Sequence, residues 1–207
     1  MTGVGQRVAI ITGGSQGIGA GLVAAYRRRD WVVVASSRMI KPSEDGAVLT
    51  ISGDVSEPAT TDRIIGEALD RFGRIDTLIN NAGILPFTDY TADDYASVVA
   101  INLTGFFAPT QRAIAEMLKR SGGHIVNITT TLAHYANSSV PSVLAALTKG
   151  GVASATKSLA IEYASRGIRG QRCLTGRHPD ADECSGEPTT NSPCSTPSAA
   201  WARSATS

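Results

Sequence analysis

Short apolar runs and helical periods alternate along this chain as far as about Arg169. The runs Val8 to Ile11, Trp31 to Ala35, Ala47 to Ile51, Thr77 to Ile79 and His124 to Ile128 are too short for helices and largely lack polar alternation. Each therefore predicts a strand buried on both faces. Between them, Ile64, Ile65, Ala68, Leu69 and Phe72 mark one helical stripe, and Tyr95, Val98, Val99 and Phe106 mark another. Pro141 suits the start of a further helix from Ser142 to about Tyr163, whose Ala145, Ala146, Gly150, Gly151, Ala153 and Ala155 permit close packing. Such alternation predicts an α/β fold, a doubly wound parallel sheet with helices on both faces and the carboxyl ends of the strands along one edge. After Arg169 both periods stop, and Gly170 to Ser207 is crowded with Pro, Ser, Thr, Gly and Ala. The reading is one domain over residues 1–169, followed by a disordered tail over 170–207, with the last strands of the sheet missing.

The first chemistry sits directly after the first strand. Thr12-Gly13-Gly14-Ser15-Gln16-Gly17-Ile18-Gly19 links that strand to an amphipathic stretch, the arrangement by which a Rossmann-like domain offers backbone amides to a dinucleotide pyrophosphate. A side chain at Gly13, Gly17 or Gly19 would block the tight turn, the phosphate approach or the helix-on-strand contact. Alone, such a loop is also an ordinary strand-to-helix turn.

Composition narrows the field. The 207 residues suit one domain, or one domain with a tail. A formal net charge of +1 gives no reason to expect a nucleic-acid or acidic-membrane partner. No apolar run approaches the roughly 20 residues of a membrane span, and no basic-then-apolar signal pattern opens the chain, so a cytoplasmic protein is expected. Cys173, Cys184 and Cys194 lack the close Cys/His spacing that zinc needs, so neither a metal site nor a disulfide framework is expected.

Four further pieces change the weight of the glycine loop. They are Asp54-Val55, Asn80-Asn81-Ala82-Gly83, Asn102, and Thr148-Lys149-Gly150-Gly151-Val152. With the loop, in this order and spacing, the series resembles the short-chain dehydrogenase/reductase family over residues 5 to about 169. The resemblance implies a nicotinamide coenzyme bound by Thr12, Gly13, Ser15, Gln16, Gly17, Ile18, Gly19, Ser37, Arg38, Asp54, Val55, Asn81, Ala82, Gly83 and Lys149. Asp54 would accept from the adenine amino group and Val55 would cover its ring, the alternative for Asp54 being a turn-forming carboxylate. Asn81, Ala82 and Gly83 would pass the ribose. Asn80, by contrast, should tie adjacent strands, since a buried amide must find partners. At the end of the second strand, Ala35-Ser36-Ser37-Arg38 has no carboxylate for two ribose hydroxyls. An Arg there suits a 2′-phosphate, which favours NADP over NAD, with a solvated surface charge as the alternative.

For catalysis the resemblance implies Asn102, Thr130 and Lys149. Asn102 would hold a relay water through the helix backbone, or else be a plain helix asparagine. Thr130 stands at the family's serine position, with Thr131 close behind, and a threonine hydroxyl can also donate to a carbonyl oxygen. Lys149 would lower the pKa of a Tyr four residues earlier, but Ala145 occupies that place and has no proton to give. Tyr135 and His134, between the serine-type position and the last helix, are the candidates to replace that acid, with two ordinary loop residues as the alternative, and a water activated by Lys149 is a further route. The implied reaction is hydride transfer between NADP(H) and a small carbonyl compound or secondary alcohol, with a catalytically impaired coenzyme-binding protein or partner subunit as the alternative. The helices starting near Thr91 and Pro141 resemble those that pair family members into homodimers and homotetramers.

Beyond Arg169 the family continues with a strand reading roughly Val-Asn-Ala-Val-Ser-Pro-Gly. Gly170 to Ala181 can be encoded by a string that, moved forward by one base, reads Val-Asn-Ala-Val-Ser-Pro-Gly-Val-Ile-Gln-Thr. The segment from about Gly170 onward is therefore a candidate for translation out of frame. A natural divergent extension is the alternative.

Overall fold

The computed structural model describes residues 5–85, 90–120, 122–136 and 139–176. Six strands form one parallel sheet: β1 Val8–Thr12, β2 Val32–Ser37, β3 Val48–Ser52, β4 Thr77–Asn80, β5 Gly123–Thr130 and β6 Ile168–Thr175. Their spatial order is β3-β2-β1-β4-β5-β6. The chain winds outward from β1 in one direction and from β4 in the other, so the crevice between their carboxyl ends is where such sheets take ligands. All five strands read from apolar runs are present, and β1 and β4 are buried at every position.

Helices cover both faces. On one, Ile64, Ile65 and Ala68 of α2 (Pro58–Phe72), Ala113, Ile114 and Met117 of α4 (Gly105–Leu118) and Leu159 of α5 (Val143–Tyr163) pack on Val8, Ile10, Leu78, Ile125 and Ile168. On the other, Leu22 and Tyr26 of α1 (Gly17–Arg27) pack with Ala9, Ile11, Val33, Ile79 and Val126. Helix α2 starts on Pro58, where the missing N–H costs nothing, and stops at Gly73 with φ 71°.

Two expectations need correction. The stripe through Tyr95, Val98, Val99 and Phe106 does not form one buried face: in α3 (Ala92–Val99) Val98 is buried, while Tyr95 is 52% exposed. The five-residue π turn Ala100–Thr104 joins α3 to α4 and advances the helical phase, so a single 3.6-residue period cannot run through both. The sheet also continues past Arg169. All eight residues of β6 pair in register with β5, Ile168 opposite Gly123 through Thr175 opposite Thr130. Only Ile168 of these is buried, so backbone pairing along the free side of β5, rather than apolar side chains, carries this strand. No strand follows β6 among the described residues; Cys184, Cys194 and the rest of the tail lie outside them.

Candidate functional site

The crevice between β1 and β4 is stitched by one hydroxyl. Thr12, buried at the end of β1, accepts through Oγ1 from the backbone amides of Asn81 and Ala82, each at 3.1 Å. Asn81 returns the contact, donating from Nδ2 to the carbonyls of Thr12 at 3.0 Å and Gly13 at 3.1 Å. A Cβ on Gly13, at φ 69°, would lie 2.9 Å from that Nδ2 and 3.0 Å from the Ala82 Cα, and one on Gly19 would run into the Gly13 carbonyl oxygen. Gly17 differs: a Cβ there would meet nothing within 4 Å, so its face is open to the crevice. The three glycines thus serve separate needs, two of close packing and one of open approach.

The resulting cleft, about 340 Å³, is lined by every residue expected to hold coenzyme except Thr12 and Lys149. Thr12 acts from behind as a bracket. Ser36, beside the expected Ser37, also lines the cleft, as do Gly53, Ile84 and Ile101, which carried no sequence signal. At one end the exposed Arg38 follows Ser37, whose hydroxyl meets that of Ser15 at 2.8 Å. Asp54 turns its Oδ1 to the backbone amide of Ser56 at 2.9 Å and to its hydroxyl at 2.7 Å. These bonds, the backbone one first, and the more distant Arg38 charge hold its carboxyl below the usual range. The turn-forming role is real, and Oδ2 has no partner among the described residues.

At the other end two side chains, Lys149 and Asn102, converge on Gly83. A Cβ placed there would lie 2.9 Å from Lys149 Nζ and 3.1 Å from Asn102 Oδ1. Asn102, buried in the π turn, accepts from the Ile84 amide at 2.9 Å and donates to the Ile84 carbonyl at 3.0 Å and Thr148 Oγ1 at 3.1 Å. Its side chain therefore clamps the strand-following loop to α5. Lys149, half-buried, donates to the Ile128 carbonyl at 3.0 Å, and burial takes its ammonium down from the ordinary value to about 8. Thr130 ends β5 with its Oγ1 accepting from the Leu132 amide at 3.2 Å. Ala145 stands one turn before Lys149 on α5 and is 3% exposed. Tyr135 is 45% exposed, its ring edge-on to His134. His134 Nε2 lies 3.0 Å from Arg172 Nη1, and because a guanidinium only donates, Nε2 is the acceptor in this contact. Lys149 bonds to neither ring.

Asn80 does tie strands, as its burial requires. Its Nδ2 donates to Asn127 Oδ1 on β5 and Thr110 Oγ1 on α4, both at 2.8 Å, and Asn127 donates onward to Thr156 Oγ1 on α5 at 2.8 Å. Asn127, Thr110 and Thr156 escaped the sequence reading, although an Asn inside an otherwise apolar strand signals such a ladder. No group of His, Cys, Asp and Glu among the described residues could hold a metal ion.

Residues 7–177 match the short chain dehydrogenase family. The chain belongs to it. A 3-oxoacyl-[acyl-carrier-protein] reductase from Synechocystis sp. is 34% identical in a 181-position match that covers 81% of this chain and 72% of that protein. Mouse L-fucose dehydrogenase is 32% identical over 79% of this chain and 62% of its own length. Among solved structures, a gluconate 5-dehydrogenase from Burkholderia cenocepacia in complex with NADP and tartrate superposes with TM-score 0.72 at 29% identity, covering 81% of this chain and 70% of that one. ElxO with NADP bound gives TM-score 0.76 at 27% identity over 82% of this chain and 73% of that one.

Proposed function

We propose that the cleft between β1 and β4 binds NADP(H) and that the site serves hydride transfer between this coenzyme and a small carbonyl compound or secondary alcohol. The observation that carries the reading is the convergence of Lys149 and Asn102 on Gly83, at the end of a cleft that starts at an open, glycine-formed turn. The residues fit the coenzyme: Gly17 leaves room for a diphosphate, Arg38 and Ser37 suit a 2′-phosphate, and Asp54 keeps an oxygen for an adenine amino group. When bound, the nicotinamide supplies or takes the hydride; the protein supplies position and protons. Lys149 is held by the Ile128 carbonyl where it can hold a ribose, Thr130 offers a hydroxyl to a carbonyl oxygen, and Asn102 braces the loop between them. NAD is the alternative coenzyme.

Ala145 supports a second reading, a coenzyme-binding member with little turnover or a partner subunit. Its methyl is buried where the family's proton donor is expected, and general acid catalysis is typically worth about 10² to 10⁴ in rate. Measuring NADPH binding alongside carbonyl-dependent NADPH oxidation separates the two. Slow oxidation with some carbonyl compound supports the enzyme, and tight binding without oxidation across a broad carbonyl panel leaves the binding protein.

Exposed Tyr95, Phe107, Val143 and Leu147 on α3, α4 and α5 support assembly into a homodimer or homotetramer, which sedimentation tests. We place the protein in the cytoplasm; no helix among the described residues is long and apolar enough to cross a membrane. The boundary near Arg169 we read as a change of reading frame. The strand after it carries Gln171 and Arg172 beside the buried Val126 and Asn127, which supports the idea. Coding DNA whose codons across Arg169 exclude the shifted reading ends it.

A further inference from the structure

We propose that Lys149 is a covalent capture site for small aldehydes and ketones, forming an imine through its side-chain amine at the inner end of the cleft. Lys149 is half-buried, and among the described residues its one hydrogen bond goes to a neutral acceptor, the Ile128 carbonyl, and no carboxylate pairs with it. A buried ammonium without a counter-charge loses much of its reason to stay charged. One turn earlier on the same helix face, Ala145 has no group to share or return a proton. The single N–H bond to Ile128 fixes the nitrogen while leaving the lone pair of the neutral amine uncommitted. Gly83, which lines the cleft, presents no side chain to that nitrogen; a Cβ there would be 2.9 Å away.

The chemistry needs nothing further. The amine lone pair forms the nitrogen–carbon bond while the carbonyl π pair moves to oxygen, which takes a proton. The nitrogen then gives up its two protons in all, the oxygen leaves as water, and a carbon–nitrogen double bond remains. Amine plus carbonyl becomes imine plus water, with no oxidant or reductant. An amine titrating near 8 is about a quarter neutral at pH 7.5, whereas an ordinary lysine is neutral in about one molecule in a thousand. Partial burial and the weaker basicity cut that advantage, and about a tenfold lead in capture over ordinary lysines remains the expectation. The inference rests on the reading of Lys149 as the inner end of the coenzyme cleft, yet it fails separately from that reading, because capture is read without turnover.

The test is competition within the intact chain. The folded protein is treated with butanal and sodium cyanoborohydride at pH 7.5, and butyl adducts at its four lysines, Lys41, Lys119, Lys149 and Lys157, are quantified by peptide mass mapping. The other three are exposed, so simple accessibility favours them. Adduct at Lys149 about tenfold or more ahead of each, slowing below pH 8, supports the site. Equal labelling, or a lead by an exposed lysine, overturns it. Lys149→Arg should keep labelling at the exposed lysines unchanged; where that variant does not fold, the comparison among the wild-type lysines already decides. Protection of Lys149 by NADPH supports its place in the cleft. Preferential capture without protection supports the site while counting against coenzyme binding there.

Discussion

Replacing Thr12 by Val tests whether one hydroxyl holds the crevice. Valine keeps the shape and removes the acceptor that Asn81 and Ala82 share. The Asn81 amide retains the Ile79 carbonyl at 3.1 Å, so its loss is partial, whereas the Ala82 amide is left without the bond it makes to Thr12. The Ala82 amide is only partly buried, so leaving it unpaired costs about 1–2 kcal/mol, and the weakened shared bond about 1 kcal/mol or less. The sum, roughly 1–3 kcal/mol, corresponds to a fall in Tm of about 2–12 °C for a domain of this size. Urea unfolding followed by far-ultraviolet circular dichroism, with thermal melts alongside, measures it. Thr12→Ser keeps the acceptor and should recover most of the loss. A Thr12→Val chain with the wild-type midpoint and slope would refute the bracket, as would a Ser variant as damaged as the Val one.

Three further outcomes follow from other parts of the molecule. Burial first, then the Arg169 charge, pushes His124 down to about 4, against a partly restoring bond from Gln171. The unfolded chain thus binds the extra proton between pH 6.5 and 4, so stability present above 6.5 falls by about 3 kcal/mol as pH drops through that window; His124→Asn should flatten this part of a pH-stability curve, and an unchanged curve contradicts the assignment. Arg38→Ala should weaken NADPH about tenfold by titration while leaving NADH within about twofold, because the lost bonds are charge-assisted ones to the 2′-phosphate; equal loss for both coenzymes removes that role. Ala145→Tyr should raise carbonyl reduction by about 10² or more if the rest of the apparatus is intact, and an unchanged rate in a folded, coenzyme-bound variant places the defect elsewhere.

What the sequence made legible followed from burial on two faces. Val8–Thr12 and Thr77–Asn80 are apolar because helices cover both sides, so their runs stand out, and the turns after them carry residue types chosen for contact. The hidden parts have other causes. Strand β6 forms on backbone pairing with β5 and has no side-chain period to read. The π turn at Ala100–Thr104 breaks the period that would carry the α3 stripe on to Phe106 in α4, and nothing in its residue types announces the extra residue. The bracket role of the Thr12 hydroxyl, bonded to the Asn81 and Ala82 amides, has no sequence signal, because both partners lie far along the chain. The resemblance brings Gly83, Asn102 and Lys149 to one site, but the close approach of the last two to Gly83 is set by the winding of the sheet and has no signal in the sequence.

The central claim is that the turn opened by Thr12 and the loop at Gly83 form one coenzyme cleft. Isothermal titration of NADPH into the folded chain tests it most directly. The account predicts saturable heat at one site per chain, lost when Gly19→Ala drives a methyl into the Gly13 carbonyl. Folded protein that gives no heat with NADPH or NADH would contradict it.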